Sequence, residues 1–278
     1  MGFYKGGHMN DITYKLQDLR ELDWVESVNT SGTGGTFLKA RKGTGNSAVY
    51  YKLSCSDEYR GIYGHECVNE IIACRLMDVL GIEHLAYRLV HALVSIEGVE
   101  HETWLAKSVS FRRAGEKKQA LDTFCSINRN AGELPFDFCR RMGWGDYIER
   151  MMLVDYLIAN RDRHGANIEV LRAQDGSVRL APLFDNGLSL IFSCYGDEER
   201  AARFDPLTDV NANNFIGSRS LEANLGLFNV RPAVRPLMER DHTKILRGLD
   251  GILSPTHLNK IWQMIWERWL HYESLRNR

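Results

Sequence analysis

The sequence has almost no excess of charge of either sign, because 35 Lys and Arg residues stand against 36 Asp and Glu residues. A near-neutral chain is a poor candidate for binding a polyanion through a basic surface, so we expect no direct nucleic-acid binding. Proline is scarce, at 6 of 278 residues, and no long polar tract occurs, which argues against extensive disorder. No apolar run approaches the ~18 residues of a membrane span, and the first residues lack a signal-peptide pattern. We therefore expect a compact cytoplasmic protein without a membrane span.

Several motifs of metal and hydrolase chemistry are also absent. The six cysteines include no C-x-x-C pair, which argues against a zinc ribbon or a thioredoxin-type redox centre. His65 and His101 each begin an H-E-x-x-H pattern, but Asn69 and Leu105 occupy its last position, so zincin chemistry is excluded. Neither a Walker G-x-x-x-x-G-K-[ST] loop nor a G-x-S-x-G elbow occurs, which disfavours P-loop NTPases and serine hydrolases.

The first third of the chain is predicted to form strands separated by glycine turns, a pattern typical of hairpins. Apolar residues at helical spacing predict one helix over residues 68–80, and Gly81 is a natural C-terminal stop for it. The strands that we expect around this helix lie at residues 24–29, 36–41, 48–53, 87–96 and 103–109.

Beyond a basic, polar junction at residues 112–118, the chain is predicted to be mainly helical. The elements expected there are a helix that ends near Asn160, a short buried strand at 178–184 and an amphipathic helix at 254–272. Three tryptophans share one face of that last helix and are interpreted as core residues.

These elements predict an α+β protein with a β-rich N-lobe at residues 9–111 and a mainly helical C-lobe at residues 112–278. Residues 1–8 resemble a cloning remnant, and we expect Met9 to be the natural start.

The densest cluster of reactive side chains combines the sequence D-R-H-G-A-N at 162–167 with L-A-P-L-F-D at 180–185. Asn167 follows Asp162 by five residues, and Asp185 follows it by 23. Phosphoryl transfer uses one carboxylate to orient the attacking hydroxyl and hard oxygen ligands to hold Mg²⁺ on the nucleotide phosphates. The alternative is a solvated turn, because Asp, Asn and Gly are common turn residues.

These two stretches resemble the HipA-like serine/threonine kinases, which belong to the wider protein-kinase-like fold that includes the phosphatidylinositol kinases. The D-R-H-x-x-N string also occurs in lipid kinases, whereas the run at 180–185 and a glycine loop favour the HipA-like group. The resemblance spans roughly residues 27–190. It implies a two-lobed protein-kinase-like fold that uses ATP and Mg²⁺, with Asp162 as the base or orienting carboxylate and Asn167 and Asp185 as metal ligands.

The resemblance also assigns the side chains that would hold the nucleotide phosphates. Lys52, in a strand with apolar neighbours, would bind the α- and β-phosphates and be oriented by a helix glutamate. Glu70 is the favoured partner of Lys52, and Glu66, one turn earlier on the same face, is the alternative. A lysine in a strand otherwise extends its ammonium group to solvent.

A glycine loop is the remaining phosphate-binding feature that we expect in the N-lobe. Its residues are Ser31, Gly32, Thr33, Gly34 and Gly35, whose small side chains let backbone N–H groups approach phosphate oxygens. The competing glycines at 43–45 leave only enough chain for one strand before Lys52, so they are interpreted as a hairpin turn. HipA-like kinases are inhibited by phosphorylation in the glycine loop, and we expect slow self-phosphorylation here, chiefly at Ser31.

Two further roles follow from the resemblance. The adenine is expected against the strand and linker at residues 104–108, with Lys107 contributing to nucleotide binding. His164 is interpreted either as a group that steadies the transferred phosphoryl or as a structural residue that holds the catalytic loop.

The expected acceptor is a serine or threonine hydroxyl on a protein. Longer HipA toxins carry an additional N-terminal subdomain for which this chain has no room, so a toxin role and an antitoxin-like partner stay open. Two other classes also stay open: a small-molecule or lipid kinase with the same machinery, and a pseudokinase that binds nucleotide without turnover. A pseudokinase would be expected to lack one of Lys52, Asp162, Asn167 or Asp185, and all four are present.

Overall fold

The chain folds into a β-rich N-terminal lobe followed by a mainly helical C-terminal lobe, as the sequence predicts. The computed structural model describes residues 11–27, 37–57, 59–228 and 230–275, so residues 1–8 and the predicted glycine loop at 31–35 lie outside the described residues. The N-terminal elements are β1 (Ile12–Asp18), β2 (Trp24–Ser27), β3 (Phe37–Lys42), β4 (Val49–Lys52), β5 (Ser56–Asp57), β6 (Gly61–Ile62), α1 (Glu66–Leu80), β7 (Tyr87–Ile96) and β8 (Val99–Val109).

The C-terminal lobe contains three short strand pairings among its helices. Its elements are β9 (Lys117–Ala120), α2 (Leu121–Asn128), α3 (Pro135–Arg141), α4 (Gly145–Leu157), β10 (Asp162–Arg163), β11 (Glu169–Arg172), β12 (Val178–Leu180), α5 (Glu198–Arg203), β13 (Asn213–Asn214), α6 (Leu221–Leu225), α7 (His242–Ile245) and α8 (Pro255–Leu275). Among the described residues, no helix is both long enough and apolar enough to cross a bilayer.

A six-stranded sheet in the order β1-β7-β8-β4-β3-β2 forms the N-terminal lobe. Neighbouring strands are antiparallel except for β1, which pairs in parallel with β7 at the edge. The predicted hairpin between β3 and β4 is confirmed: Gly43 and Gly45 adopt φ of 81° and 64°, a left-handed conformation that suits glycine. The sequence pattern missed β1, because only Ile12 of this edge strand is buried and no alternation marks it.

Helix α1 connects the two lobes and is buried on nearly its whole circumference. Thirteen of its 15 residues are buried, including Glu66, Asn69 and Glu70, and Gly81 ends it with φ of 74° as predicted. One side packs on the sheet through Leu89, and the same core continues into α4 and α8. A helix buried in this way cannot shift without disturbing both lobes, because close-packed interiors transmit displacements.

The predicted junction at 112–118 already contains part of the C-terminal lobe. Glu116 is buried and accepts two hydrogen bonds from the Arg179 guanidinium, at 2.8 and 2.9 Å. The following strand β9 pairs antiparallel with β11, which also forms a hairpin with β12. The strand predicted at 178–184 ends earlier, at Leu180, since Pro182 has no N–H to continue the ladder.

The predicted tail helix is present as α8, but its tryptophans are only partly core residues. Trp269 is buried, whereas Trp262 and Trp266 are half-buried and stack on each other with centroids 5.8 Å apart. Arg268 on the same helix is completely buried. Its guanidinium donates to the backbone carbonyls of Pro206 at 2.8 Å and Tyr156 at 3.0 Å.

Replacement of Arg268 by alanine should destabilise the fold by about 3 kcal/mol, because buried carbonyls lose their donors and a cavity remains. Gln263→Ala is the matched control on the exposed face of α8 and should change the free energy of unfolding by less than ~0.5 kcal/mol. Urea unfolding of both variants measures the difference. Equal losses for the two variants would contradict the packing of α8 described above.

Candidate active site

Lys52 lies at the centre of a cluster of charged side chains drawn from both lobes. Its Nζ atom is 2.7 Å from Glu70 Oε1 and 2.8 Å from Asp185 Oδ1, and it lies over the ring of Tyr87. Burial would lower the pKa of Lys52, but the charges of Asp185 and Glu70 outweigh it and raise the pKa well above its usual range. The ammonium group is therefore permanently charged and fixed between two carboxylates.

The structure pairs Lys52 with Glu70 and directs Glu66 elsewhere. Glu66 Oε2 accepts a hydrogen bond from the backbone N–H of Cys55 at 3.0 Å. The two glutamates are one turn apart on α1, so the sequence spacing alone left both possible. The folded structure decides between them, because Glu66 is taken up by the Cys55 backbone and Glu70 by Lys52.

The same face of α1 holds the segment that follows Asp185. Glu70 Oε2 accepts the backbone N–H of Asn186 at 2.9 Å, and Asn69 Nδ2 donates to the carbonyl of Gly187 at 2.9 Å. A Cβ atom at residue 187 would lie 3.0 Å from Glu66 Cβ, a tighter contact than most, so this close approach favours glycine. Three helix residues thus fix the start of the segment after Asp185.

Asp185 itself adopts a left-handed backbone conformation with φ of 60°, which is uncommon for a residue with a side chain. Its carboxylate receives Lys52 on Oδ1 and lies 3.7 Å from Lys39 Nζ through Oδ2. Burial would raise its pKa, but the charges of Lys52 and Lys39 more than compensate and hold the pKa well below its usual range. Asp185 is therefore ionised at every physiological pH.

Asp162 lies in β10, which pairs in parallel with β13. Asn213 on β13 places its Nδ2 3.4 Å from Asp162 Oδ1, and Asn167 Nδ2 donates to the Asp162 carbonyl at 2.8 Å. Burial raises the pKa of Asp162, and the negative charge of Asp185 adds to the effect against an opposing contribution from His164. A carboxylate with a raised pKa is a better proton acceptor than an exposed aspartate.

His164 has a structural contact and also faces the Asp162 carboxylate. Its Nδ1 accepts the backbone N–H of Ala166 at 3.2 Å, which caps the single 3-10 turn Gly165–Asn167. The proton of the neutral ring is thereby assigned to Nε2, which is 3.7 Å from Asp162 Oδ2. The contact with Ala166 agrees with the loop-holding interpretation of His164, and the phosphoryl-steadying interpretation stays a prediction.

A buried arginine that the sequence analysis left without a role ties these elements together. Arg163 pairs with Asp155 of α4 through Nη2 and Oδ1 at 2.8 Å, with both side chains fully buried. It also donates to Asn186 Oδ1 at 2.6 Å and to the carbonyl of Phe184 at 2.7 Å. The loop at residues 162–167 is thus bonded to the residues on both sides of Asp185. Arg163 was visible in the sequence as part of the D-R-H motif, but its separation from Asp155 along the chain did not indicate that the two side chains are in contact.

The donor atoms near Asp185 suit Mg²⁺. Asp185 supplies an ionised carboxylate, and Asn167, whose Nδ2 is engaged by the Asp162 carbonyl, has an amide oxygen to offer. Mg²⁺ is commonly bound by one or two protein oxygens, with phosphates and water completing the octahedron. Within the described ranges no cluster of three His, Cys, Asp or Glu side chains that could hold a metal is found.

The cofactor-binding role expected for the Lys107 side chain is not supported by the geometry. Lys107 pairs with Tyr51 across β8 and β4, so it lies on the sheet face opposite Lys52, and its Nζ is 5.8 Å from the Tyr51 ring centroid. The alternation of side chains along a strand is the reason. Ala106 lies opposite Lys52 on the inner face, and only alternate residues of the predicted 104–108 stretch can line the cleft.

The structure brings together the sequence-predicted residues Lys52, Glu70, Asp162, His164 and Asp185, with Asn167 in the same loop. The predicted glycine-loop residues Ser31, Gly32, Thr33, Gly34 and Gly35 lie outside the described residues. Residues that the pattern did not predict in this cluster are Lys39, Asp155, Arg163, Asn186 and Asn213. Their contacts depend on register and chain crossing, which no local pattern records.

The fold is similar to that of a solved kinase. A crystal structure of a Helicobacter pylori proinflammatory kinase, CtkA, matches with a TM-score of 0.61 at 16% sequence identity, covering 91% of this chain and 94% of that chain. At this identity the likeness establishes a two-lobed, kinase-like α+β fold for this chain. No protein-family model matches the sequence, and a search of curated proteins finds no significant match.

Conversion of Asp155 to asparagine should destabilise the protein by about 3 kcal/mol, because the Arg163 charge would stay buried without its counter-ion. Glu199→Gln is the control, since Glu199 forms an ion pair with Arg203 in which both side chains are at least 80% exposed. That variant should change stability by less than ~0.5 kcal/mol. Chemical denaturation distinguishes the two, and a loss below ~1 kcal/mol for Asp155→Asn would show that the pair is not structural.

Proposed function

We propose that this chain is a kinase that transfers the γ-phosphoryl group of ATP, with Mg²⁺, to a serine or threonine hydroxyl of a protein. The observation that carries the proposal is the position of Lys52 between Glu70 and Asp185, with Nζ–oxygen distances of 2.7 and 2.8 Å. Protein kinases need this lysine–glutamate pair and a metal-binding aspartate in place together. The similarity to a kinase fold supports the same reading.

Asp162 is the proposed orienting carboxylate or base for the acceptor hydroxyl. Its raised pKa favours proton acceptance, and the Asn213 amide beside Oδ1 restricts its rotation. Proton transfer to a positioned carboxylate typically contributes about 10²–10⁴-fold to a rate. His164 would help to keep this carboxylate in the geometry of the loop through its contact with Ala166.

Lys52 and the glycine loop at 31–35 are proposed to hold the nucleotide phosphates, and Asp185 and Asn167 to hold the metal. A bound Mg²⁺ would supply charge neutralisation for the phosphates. Asp185 enters that role already ionised, because Lys52 and Lys39 keep its pKa low. When the Asp185 carboxylate binds another cation, Lys52 keeps its ion pair with Glu70.

The protein acceptor and the HipA-like specificity rest on the resemblance of residues 162–167 and 180–185. Lipid and small-molecule kinases share the first motif, so a panel of protein, lipid and sugar acceptors with labelled ATP distinguishes these classes. Self-phosphorylation at Ser31 belongs to the same proposal. A phosphate there adds about −1.5 to −2 charge and would repel the nucleotide phosphates.

Nucleotide binding should depend on metal. ATP at ~100 times its dissociation constant stabilises a protein by about 2.7 kcal/mol, so the melting temperature should rise by several degrees with Mg²⁺ and much less with EDTA. Asp185→Ala should abolish most of this shift, whereas Asp175→Ala, in an exposed turn, should preserve it. A shift of equal size without Mg²⁺ would contradict the assignment of Asp185.

Replacement of Asp162 should lower phosphoryl transfer without weakening nucleotide binding. Asp162→Asn should keep the Mg-ATP stabilisation while phosphoryl transfer falls at least ~100-fold, because the change affects the acceptor hydroxyl and not the nucleotide. Transfer is followed with labelled ATP, and mass spectrometry of the same samples reports phosphate at residues 27–36. Near-normal turnover in this variant would remove Asp162 from the catalytic role.

A further inference from the structure

Lys39 is a second lysine in the cleft, and its position on the sheet makes it a neighbour of Lys52. The two residues pair across β3 and β4, so both side chains extend from the same sheet face. Lys39 Nζ is 3.7 Å from Asp185 Oδ2, on the opposite oxygen from Lys52. Its side chain is 43% exposed, compared with 17% for Lys52, so Lys39 lies nearer to solvent.

The two lysines beside Asp185 differ in the number of carboxylates that each one contacts. Lys52 has a second, buried carboxylate in Glu70, at 2.7 Å. For Lys39, Asp185 is the one carboxylate within 4.0 Å that the described part of the chain provides. If a divalent cation occupied Asp185, Lys52 would keep a counter-ion, whereas Lys39 would face like charge and lose its partner. Like charges a few ångströms apart in a partly buried site repel one another, so Lys39 would move away from the bound cation.

We propose that Lys39 is a second phosphate-binding lysine, which leaves Asp185 when Mg²⁺ arrives and binds the terminal phosphate oxygens of the nucleotide. This inference rests on the proposed function, because it assigns a further residue to the same nucleotide site. Lysine is suited to the role as a compact charge with three donors on a flexible stem. A half-exposed side chain can make the required movement without unpacking a core.

A different role would be neutralisation of Asp185 alone. In that case Lys39 competes with the metal, and its removal would leave nucleotide binding unchanged or make it tighter. Phosphate binding predicts the opposite sign, and it predicts that the effect grows with the number of phosphates. The two roles therefore differ in a quantity that binding experiments measure directly.

Calorimetric titration of Lys39→Ala with adenosine 5′-(β,γ-imido)triphosphate, ADP and AMP, each with Mg²⁺, tests the proposal. A lost charge-assisted hydrogen bond corresponds to about a tenfold or larger increase in the dissociation constant for the triphosphate. The increase should be smaller for ADP and absent for AMP. Lys39→Arg, which keeps the charge, should recover most of the triphosphate affinity.

Lys42→Ala is the matched control. Lys42 lies on the same strand but on the opposite sheet face, where its Nζ is 3.0 Å from Glu21 Oε1. Its loss should leave all three dissociation constants unchanged, which separates a specific contact from the general loss of one positive charge.

Two results would overturn the inference while leaving the proposed function intact: unchanged or tighter triphosphate binding by Lys39→Ala, or an equal loss for all three nucleotides. Absence of Mg-nucleotide binding by the unaltered protein would overturn the proposed function and this inference together. Thermal unfolding of each variant without ligand should match that of the unaltered protein. If Lys39→Ala folds poorly, titration of Lys39→Gln, which removes the charge and keeps most of the stem, tests the same loss of triphosphate affinity.

Discussion

The carboxylate of Glu70 is the interaction on which the arrangement of the cleft depends. One oxygen binds Lys52 on the sheet and the other accepts the N–H of Asn186 in the C-terminal lobe. Because Glu70 is only 1% exposed, loss of either partner would leave a buried charge incompletely paired. Such a loss is strongly destabilising in proteins, so the helix, the sheet and the segment after Asp185 keep one relative position.

A second buried ion pair, between Arg163 and Asp155, also contacts the segment that follows Asp185. Arg163 is anchored by Asp155 and binds Asn186 Oδ1, so Asn186 is fixed through its backbone by Glu70 and through its side chain by Arg163. Asp185 lies between Phe184 and Asn186, both of which are held by these contacts. The left-handed backbone of Asp185 is uncommon, and it persists because its neighbours leave no relaxed alternative. The backbone on both sides of Asp185 is thus held by contacts within the protein itself.

The sequence predictions were accurate for features set by residues close together in the chain, and they failed for features that depend on pairing between distant parts of it. Helix α1 with its Gly81 stop and the β3–β4 hairpin were predicted, because helical spacing and glycine turns are local signals. Edge strand β1 was missed, since it buries little and its pairing with β7 joins distant parts of the chain. The sheet face on which Lys107 lies was not predicted, because strand register decides the face and a shift of one residue reverses it.

From the sequence alone we could predict the strands–helix–strands order around α1, a two-lobed kinase-like fold and the loop that carries Asp162 and Asn167. These depend on residue types at short spacing, which the chain specifies before it folds. Other contacts are visible only in the folded protein: Lys52 meets Glu70 and not Glu66, Arg163 joins Asp155 to Asn186, and Lys39 faces Asp185. Each of these contacts joins atoms from different elements. Their geometry is set by how α1 packs between the sheet and the helices, because packing in three dimensions selects among side chains that local spacing leaves equivalent.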